Sequence, residues 1–141
     1  MGRVLAFDMG RKRTGIAVSD PGRMIANGLE TVPSMHIWDF LESYLGKETV
    51  DVFVVGYPVQ MNNIPSESMP FVESFIKKLK KTYPDIVVEL VDERFTSKMA
   101  KQSMLEGGVK KKDRRNKALV DKISAMLILQ SYLDQKFQDH L

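Results

Sequence analysis

Four consecutive apolar residues, Val4 to Phe7, stand near the N-terminus and lead directly into Asp8, with Gly10 and Gly15 following. Such a run is typical of a buried strand, and glycines let the backbone turn sharply where a Cβ would interfere. Ligands of open α/β sheets bind at the rim where parallel strands end. Asp8 is therefore a candidate site residue, in a position where a carboxylate can hold a cation.

The rest of the chain alternates strand patterns with helical ones. Strands are predicted over residues 3–8, 14–19, 24–32, 52–55 and 86–91, and Gly56 and Tyr57 are expected to end the fourth. Four helices are predicted: one capped by Ser34 and ended by Gly46, one after Ser66 that closes near Tyr83, one capped by Thr96 or Ser97 through Leu105, and one ending near Lys136.

This order of elements, β-β-β-α-β-α-β-α-α, predicts an α/β fold. Short turns make the first three strands an antiparallel meander, and right-handed crossovers make strands one, four and five parallel. The expected sheet is mixed and five-stranded, with the order 3-2-1-4-5 and helices on both faces. At 141 residues with 43% hydrophobic content, the chain is expected to form a single domain over residues 1–141.

Two further acidic positions are expected at the rim that carries Asp8. The first is Asp92-Glu93, after strand five, about 10 Å from strand one across strand four at about 4.8 Å per strand. Gly56 leaves room for carboxylates to lean inward over strand four. Alternation sends Asp92 and Glu93 to opposite faces, so only one can reach the site, and Glu93 has the longer side chain.

The second position is Asp121, which falls in a helical stripe with small and apolar residues, namely Ala118, Ala125, Ile128 and Tyr132. A buried carboxylate is unfavourable by several kcal/mol unless it is paired or binds a metal. The alternative interpretations are an ion pair with Lys117 or Lys122, and an exposed aspartate.

The types of side chain present favour a hard cation at such a site. The chain has no cysteine, and its two histidines, His36 and His140, lack zinc-ligand spacing. Oxygen donors favour Mg²⁺ or Mn²⁺, and a cluster of carboxylates is typical of metal-dependent phosphoryl transfer. We therefore predict Asp8, Glu93 and Asp121 as catalytic residues, and these three together with Asp92 as metal ligands.

Basic residues flank both predicted parts of the site. Six of the eight residues from Lys110 to Lys117 are basic, although the net charge is only +3. Cationic loops beside a metal site are suited to phosphates of nucleic acid. The predicted nucleic-acid-binding residues are Arg11, Lys12, Arg13, Lys110, Lys111, Lys112, Arg114 and Arg115, with a solvated surface as the alternative. The lysines between Lys77 and Lys81 are interpreted as a solvated helix face, and Trp38 gives no functional signal.

The predicted location is cytoplasmic, without membrane association. No segment approaches the roughly 20 apolar residues that span a bilayer, and the N-terminus enters a strand rather than a charged stretch followed by an apolar one.

Several short motifs, taken together and in this order, resemble the YqgF family of bacterial RNase H-like proteins, also called RuvX. They cover nearly the whole chain: Asp8-x-Gly10, Lys12-Arg13-x-Gly15-x-Ala17-Val18-Ser19-Asp20, Val55-Gly56-x-Pro58, Val91-Asp92-Glu93-Arg94-x-Thr96 and Asp121-Lys122-x-x-Ala125. Met9 and Tyr57 stand where other side chains are usual in the family.

The resemblance implies an RNase H-like fold and a Mg²⁺- or Mn²⁺-dependent nuclease that processes the 5′ end of pre-16S ribosomal RNA, so that ribosome precursors are expected partners. It maps the family's acids onto Asp8, the Asp92-Glu93 pair and Asp121. Resolution of Holliday junctions in branched DNA, a non-catalytic nucleic-acid-binding factor and an ATP-dependent phosphotransferase are the alternatives. RNA and DNA substrates are not distinguished, and a monomer and a weak homodimer both remain open.

Overall fold

The computed structural model describes residues 2–57, 69–92 and 116–139, with the side chains of 137–139 excepted. Its strands are β1 (Arg3–Met9), β2 (Arg13–Ser19), β3 (Ala26–Pro33), β4 (Val50–Tyr57) and β5 (Val87–Asp92). Its helices are a 3-10 turn (Ser34–His36), α1 (Ile37–Leu45), α2 (Met69–Thr82) and α3 (Lys117–Asp139). The predicted helix from Thr96 or Ser97 through Leu105 lies outside the described residues.

The sheet has the predicted order, β3-β2-β1-β4-β5. β1 pairs with β2, and β2 with β3, in antiparallel fashion, whereas β4 lies parallel to both β1 and β5. The predicted α/β architecture, with a mixed sheet covered by helices on both faces, is therefore confirmed.

Two local predictions were wrong. Ser34 does not cap the first helix with its side chain; it opens the 3-10 turn, and its buried hydroxyl bonds to the Gly10 carbonyl and Thr14 instead. Gly56 does not end β4, because the strand continues through it to Tyr57, and these two residues pair with Val91 and Asp92 of β5. Pairing with β5 outweighs the local preference of glycine for a turn.

The two faces of the sheet have separate hydrophobic cores. The face covered by α1 and α2, the α1/α2 face, buries alternate residues of the central strands, among them Leu5, Phe7, Phe53 and Val55. The opposite face, the α3 face, buries the other alternate set, which includes Val4, Ala6, Val52 and Val54, against Ala125, Ile128, Leu129, Tyr132 and Leu133. Strand alternation therefore decides which helix each side chain meets.

Small residues in the sheet let α3 pack closely on it. A Cβ built on Gly15 would overlap the backbone carbonyl of Asp121, and one on Gly28 would lie 2.9 Å from both Lys122 Cγ and Met126 Sδ. The Asn116 side chain accepts hydrogen bonds from the backbone N–H groups of Ala118 (3.0 Å) and Leu119 (3.3 Å), which fixes where α3 begins. None of the helices described is long and apolar enough to cross a membrane.

Candidate active site

Asp8 and Asp121 are brought together on the α3 face. In β1, Val4 and Ala6 pack against α3, so the half-buried Asp8, two residues further, belongs to the same face. Asp8 pairs across the strands with Gly15, and Gly15 is the point where the backbone of Asp121 touches the sheet. The missing side chain of Gly15 therefore lets the backbone of Asp121 lie against the strand position that pairs with Asp8.

The Asp121 side chain is held by Arg13, two residues before Gly15 on the same face of β2. Arg13 Nε donates a hydrogen bond to Asp121 Oδ2 at 3.1 Å, and the two side chains are 36% and 26% exposed. The sequence suggested Lys117 or Lys122 as ion-pair partners, but the structure places Arg13 in that role. Arg13, predicted to bind nucleic acid, thus lies directly beside a predicted catalytic acid.

Burial and neighbouring positive charges have opposite effects on the pKa of Asp121. Desolvation raises the pKa of this carboxyl above its usual value of 3.8, while the hydrogen bond and charge of Arg13, and the charge of Lys117, lower it in part. The net effect is a raised pKa, so the ionised form is less favourable here than it is in water. A further cation near the carboxylate would relieve that cost.

Removing Arg13 should therefore raise the pKa of Asp121 further. We expect Arg13→Gln to move the titration of the Asp121 carboxyl to higher pH, because an amide supplies a hydrogen bond but no charge. The measurement is the pH dependence of the Asp121 carboxyl ¹³C chemical shift in metal-free protein. Lys122→Gln, on the same helix, serves as the control and should leave the titration in place. A lower pKa in Arg13→Gln would contradict the assignment.

Buried polar contacts brace the turn between β1 and β2. Gly10 N–H donates to the Arg13 carbonyl (3.0 Å), and the hydroxyls of Thr14 and Ser34 lie 2.8 Å apart, with Ser34 also bonded to Gly10 O. Arg11 and Lys12 are exposed in this turn. That Thr14 and Ser34 position this turn was not predicted from the sequence. One signal was available, since Thr14 is a polar residue on the strand face that Ile16 and Val18 make apolar.

Asp92 lies on the other face of the sheet. It pairs with Tyr57, which packs against the α1/α2 core as Val88 does, whereas Val91 packs against the α3 core. Tyr57 Oη donates a hydrogen bond to Glu73 of α2 at 2.8 Å, and this bond raises the pKa of Tyr57. Asp92 is therefore not brought to the face that Asp8 and Asp121 share.

The remaining predicted site residues lie outside the described part of the chain. These are Glu93, Lys110, Lys111, Lys112, Arg114 and Arg115. Within residues 2–57, 69–92 and 116–139, no three histidine, aspartate or glutamate side chains cluster closely enough to hold a metal ion. The described part of the site thus consists of two acids, Asp8 and Asp121, and one adjacent cation, Arg13.

Comparison with known proteins identifies the family of this chain. The family model described as "RuvX: Holliday junction resolvase" matches residues 2–135. The chain belongs to the RuvX family. A relative from Bacteroides fragilis is 58% identical over 136 residues, which are 96% of this chain and 99% of that protein, and it carries the name "Putative pre-16S rRNA nuclease".

Solved structures support the fold of this RuvX family member. RuvC of T. thermophilus, in complex with a Holliday junction substrate, aligns with a TM-score of 0.57 at 16% identity, covering 97% of this chain and 96% of RuvC. The fowlpox virus resolvase, in complex with Holliday junction DNA, also gives 0.57, at 14% identity, covering 94% and 97% of the two chains. The expected RNase H-like fold is confirmed.

Proposed function

We propose that this protein is a divalent-metal-dependent nuclease that hydrolyses phosphodiester bonds during 5′-end processing of pre-16S ribosomal RNA. The observation that carries the proposal is the placement of Asp8 and Asp121 on one face at the end of β1, where α3 rests on Gly15. The name of the Bacteroides fragilis relative supports the substrate. Such a substrate implies a cytoplasmic protein that acts on ribosome precursors. We propose that it does so as the single domain predicted over residues 1–141.

The donor set fits Mg²⁺ or Mn²⁺. Asp8 and Asp121 would supply oxygen ligands, and the pKa of Asp121 stays raised by burial even beside Arg13, so a further cation there would be favourable. Since Asp92 lies on the α1/α2 face, the alternation predicted from the sequence leaves Glu93 as the third acid for the α3 face. When bound, the metal would lower the pKa of a coordinated water and stabilise the leaving oxygen.

The protein's own residues orient these ligands and attract the substrate. Arg13 fixes the Asp121 carboxylate through its hydrogen bond to Oδ2. The exposed Arg11 and Lys12, in the turn between β1 and β2, add positive charge at the edge of the sheet where β1 ends, which favours approach of a phosphodiester backbone. Further phosphate contacts are proposed for the basic residues shortly before α3 in sequence, Lys110, Lys111, Lys112, Arg114 and Arg115.

A second candidate is resolution of Holliday junctions, which the family description favours. Because a resolvase cuts two strands symmetrically, this activity requires a homodimer, whereas end processing can be carried out by a monomer. The two candidates therefore differ in the oligomeric state as well as in the substrate.

One comparison tests both. Purified protein is incubated with a precursor 16S fragment and with a four-way DNA junction, each in Mg²⁺, Mn²⁺ or EDTA, and the products are mapped at nucleotide resolution. We expect divalent-dependent cleavage of the RNA near the mature 5′ end. Cleavage of the junction alone would favour the resolvase. Salt-dependent RNA binding without cleavage in either ion would assign the protein as a non-catalytic binding factor.

A further inference from the structure

A groove opens between α1 and α2 on the α1/α2 face, next to the turn that follows β1. Its volume is about 280 Å³, and its walls include Arg11 from that turn, Trp38 from α1, and Phe71 and Lys78 from α2. Of the described residues that line it, two are cationic and none is acidic. The groove therefore offers an apolar interior with a positive rim, next to the turn that joins β1 to β2.

The α2 wall of the groove is a regular stripe. Phe71, Ser74, Phe75 and Lys78 follow the spacing i, i+3, i+4, i+7, which places them on one side of the helix. Phe75 is buried and forms part of the floor, while Phe71 is 38% exposed. An aromatic ring left partly open in a groove is available for stacking against a planar group.

Trp38 fixes a positive charge at the groove. Its indole packs against Phe75 with ring centroids 5.4 Å apart, and the Lys78 ammonium lies 4.4 Å from the indole centroid. A cation held over an aromatic face is restrained at that position. Lys78, interpreted from the sequence as part of a solvated face, is therefore held over the half-buried Trp38 ring, in the groove that Phe71 also lines.

We propose that this groove binds an unpaired nucleotide of a single-stranded nucleic-acid segment, with the base against Phe71 and the adjoining phosphate near Lys78 and Arg11. The net positive charge of the described lining residues complements a polyanion, and base stacking on an aromatic side chain tolerates any sequence. The inference rests on the proposed function in that the bound segment is part of the nuclease substrate. The groove would hold single-stranded RNA next to the turn that joins β1 to β2.

Trp38 is the only tryptophan of the chain, so its fluorescence reports on the groove directly. The test titrates a 12-nucleotide single-stranded oligouridylate into the protein in EDTA, where binding is measured without cleavage. We expect a saturable change in Trp38 emission and about tenfold weaker binding by Phe71→Ala. Lys78→Ala should lower the salt slope of log K by about 0.7, the value of one phosphate contact on a single strand.

Two matched variants control for general effects. Val87→Ala removes another exposed apolar side chain, on β5, and Lys81→Ala removes another exposed lysine of α2; neither residue lines the groove. Both should bind like the parent protein. If Phe71→Ala and Lys78→Ala also bind like the parent, or if Trp38 emission is unchanged at saturation, the groove has another occupant and the inference is wrong.

The binding and cleavage results together distinguish failure of the groove proposal from failure of the proposed nuclease function. RNA binding that depends on Phe71 and Lys78 in a protein that cleaves nothing would support the groove and refute the nuclease. Normal cleavage together with binding that is insensitive to both substitutions would refute the groove and leave the nuclease intact.

Discussion

Gly15→Ala is expected to destabilise the protein strongly and to abolish its activity. The new Cβ would overlap the Asp121 carbonyl and lie 3.0 Å from the Lys122 backbone nitrogen. Both contacts are backbone, so rotation of a side chain cannot relieve them, and α3 would have to move off the sheet. Overpacking of this kind costs roughly 3 kcal/mol or more in the free energy of unfolding, measurable by urea denaturation.

Gly46→Ala is the matched control for that substitution. Gly46 ends α1 with φ −74° and ψ −17°, a conformation that alanine adopts readily, and a Cβ there would meet only the carbonyl oxygens of Glu42 and Ser43 at 3.4 Å. We expect this variant to be unchanged or about 0.5 kcal/mol more stable. Equal stabilities for the two alanine variants would mean that α3 does not rest on Gly15.

Asp8→Asn and Asp121→Asn should each reduce divalent-dependent cleavage by on the order of a thousandfold. Each substitution keeps the shape of the side chain but removes the negative charge proposed to hold the cation. The measurement is the single-turnover cleavage rate on the RNA substrate in Mg²⁺. Retention of the parental rate in both variants would refute the proposed site.

Asp134 is an exposed acid of the same helix as Asp121, so Asp134→Asn is the control and should cleave at the parental rate.

The thermal stability of the Asp121→Asn variant, compared with that of the parent, shows whether lost cleavage comes from lost catalysis or from unfolding. Because burial raises the pKa of Asp121 above its unfolded value, the stability contributed by this group is fully present below the unfolded pKa and is lost as the pH rises through the folded pKa. At neutral pH, Asp121→Asn is therefore expected to be no less stable than the parent.

Much of the fold follows from local sequence patterns. Short turns and helical crossovers fixed the strand order, since few topologies satisfy both. The stripe of Ala125, Ile128 and Tyr132 predicted which side of the last helix packs, and these residues are buried on the α3 face. The ends of elements were harder to predict, because pairing with β5 extends β4 through Gly56 and Tyr57.

The candidate site was predictable in part. Asp8 was recognised from its place after an apolar strand, and Asp121 from its charge within an apolar stripe, since both are local features. The pairing of Arg13 with Asp121 joins residues 108 positions apart and depends on how α3 crosses β2, which no local pattern encodes. The groove at Trp38 likewise depends on the distance between α1 and α2. No local pattern encodes that distance, so Trp38 carries no functional signal in the sequence.

The most direct test of the central claim is to locate a bound metal. Crystals grown or soaked with Mn²⁺ give an anomalous difference signal at the manganese position. We expect a peak on the α3 face, in contact with the carboxylates of Asp8 and Asp121, and its loss in Asp121→Asn. Crystals that contain Mn²⁺ at other positions while these two carboxylates bind none would contradict the account.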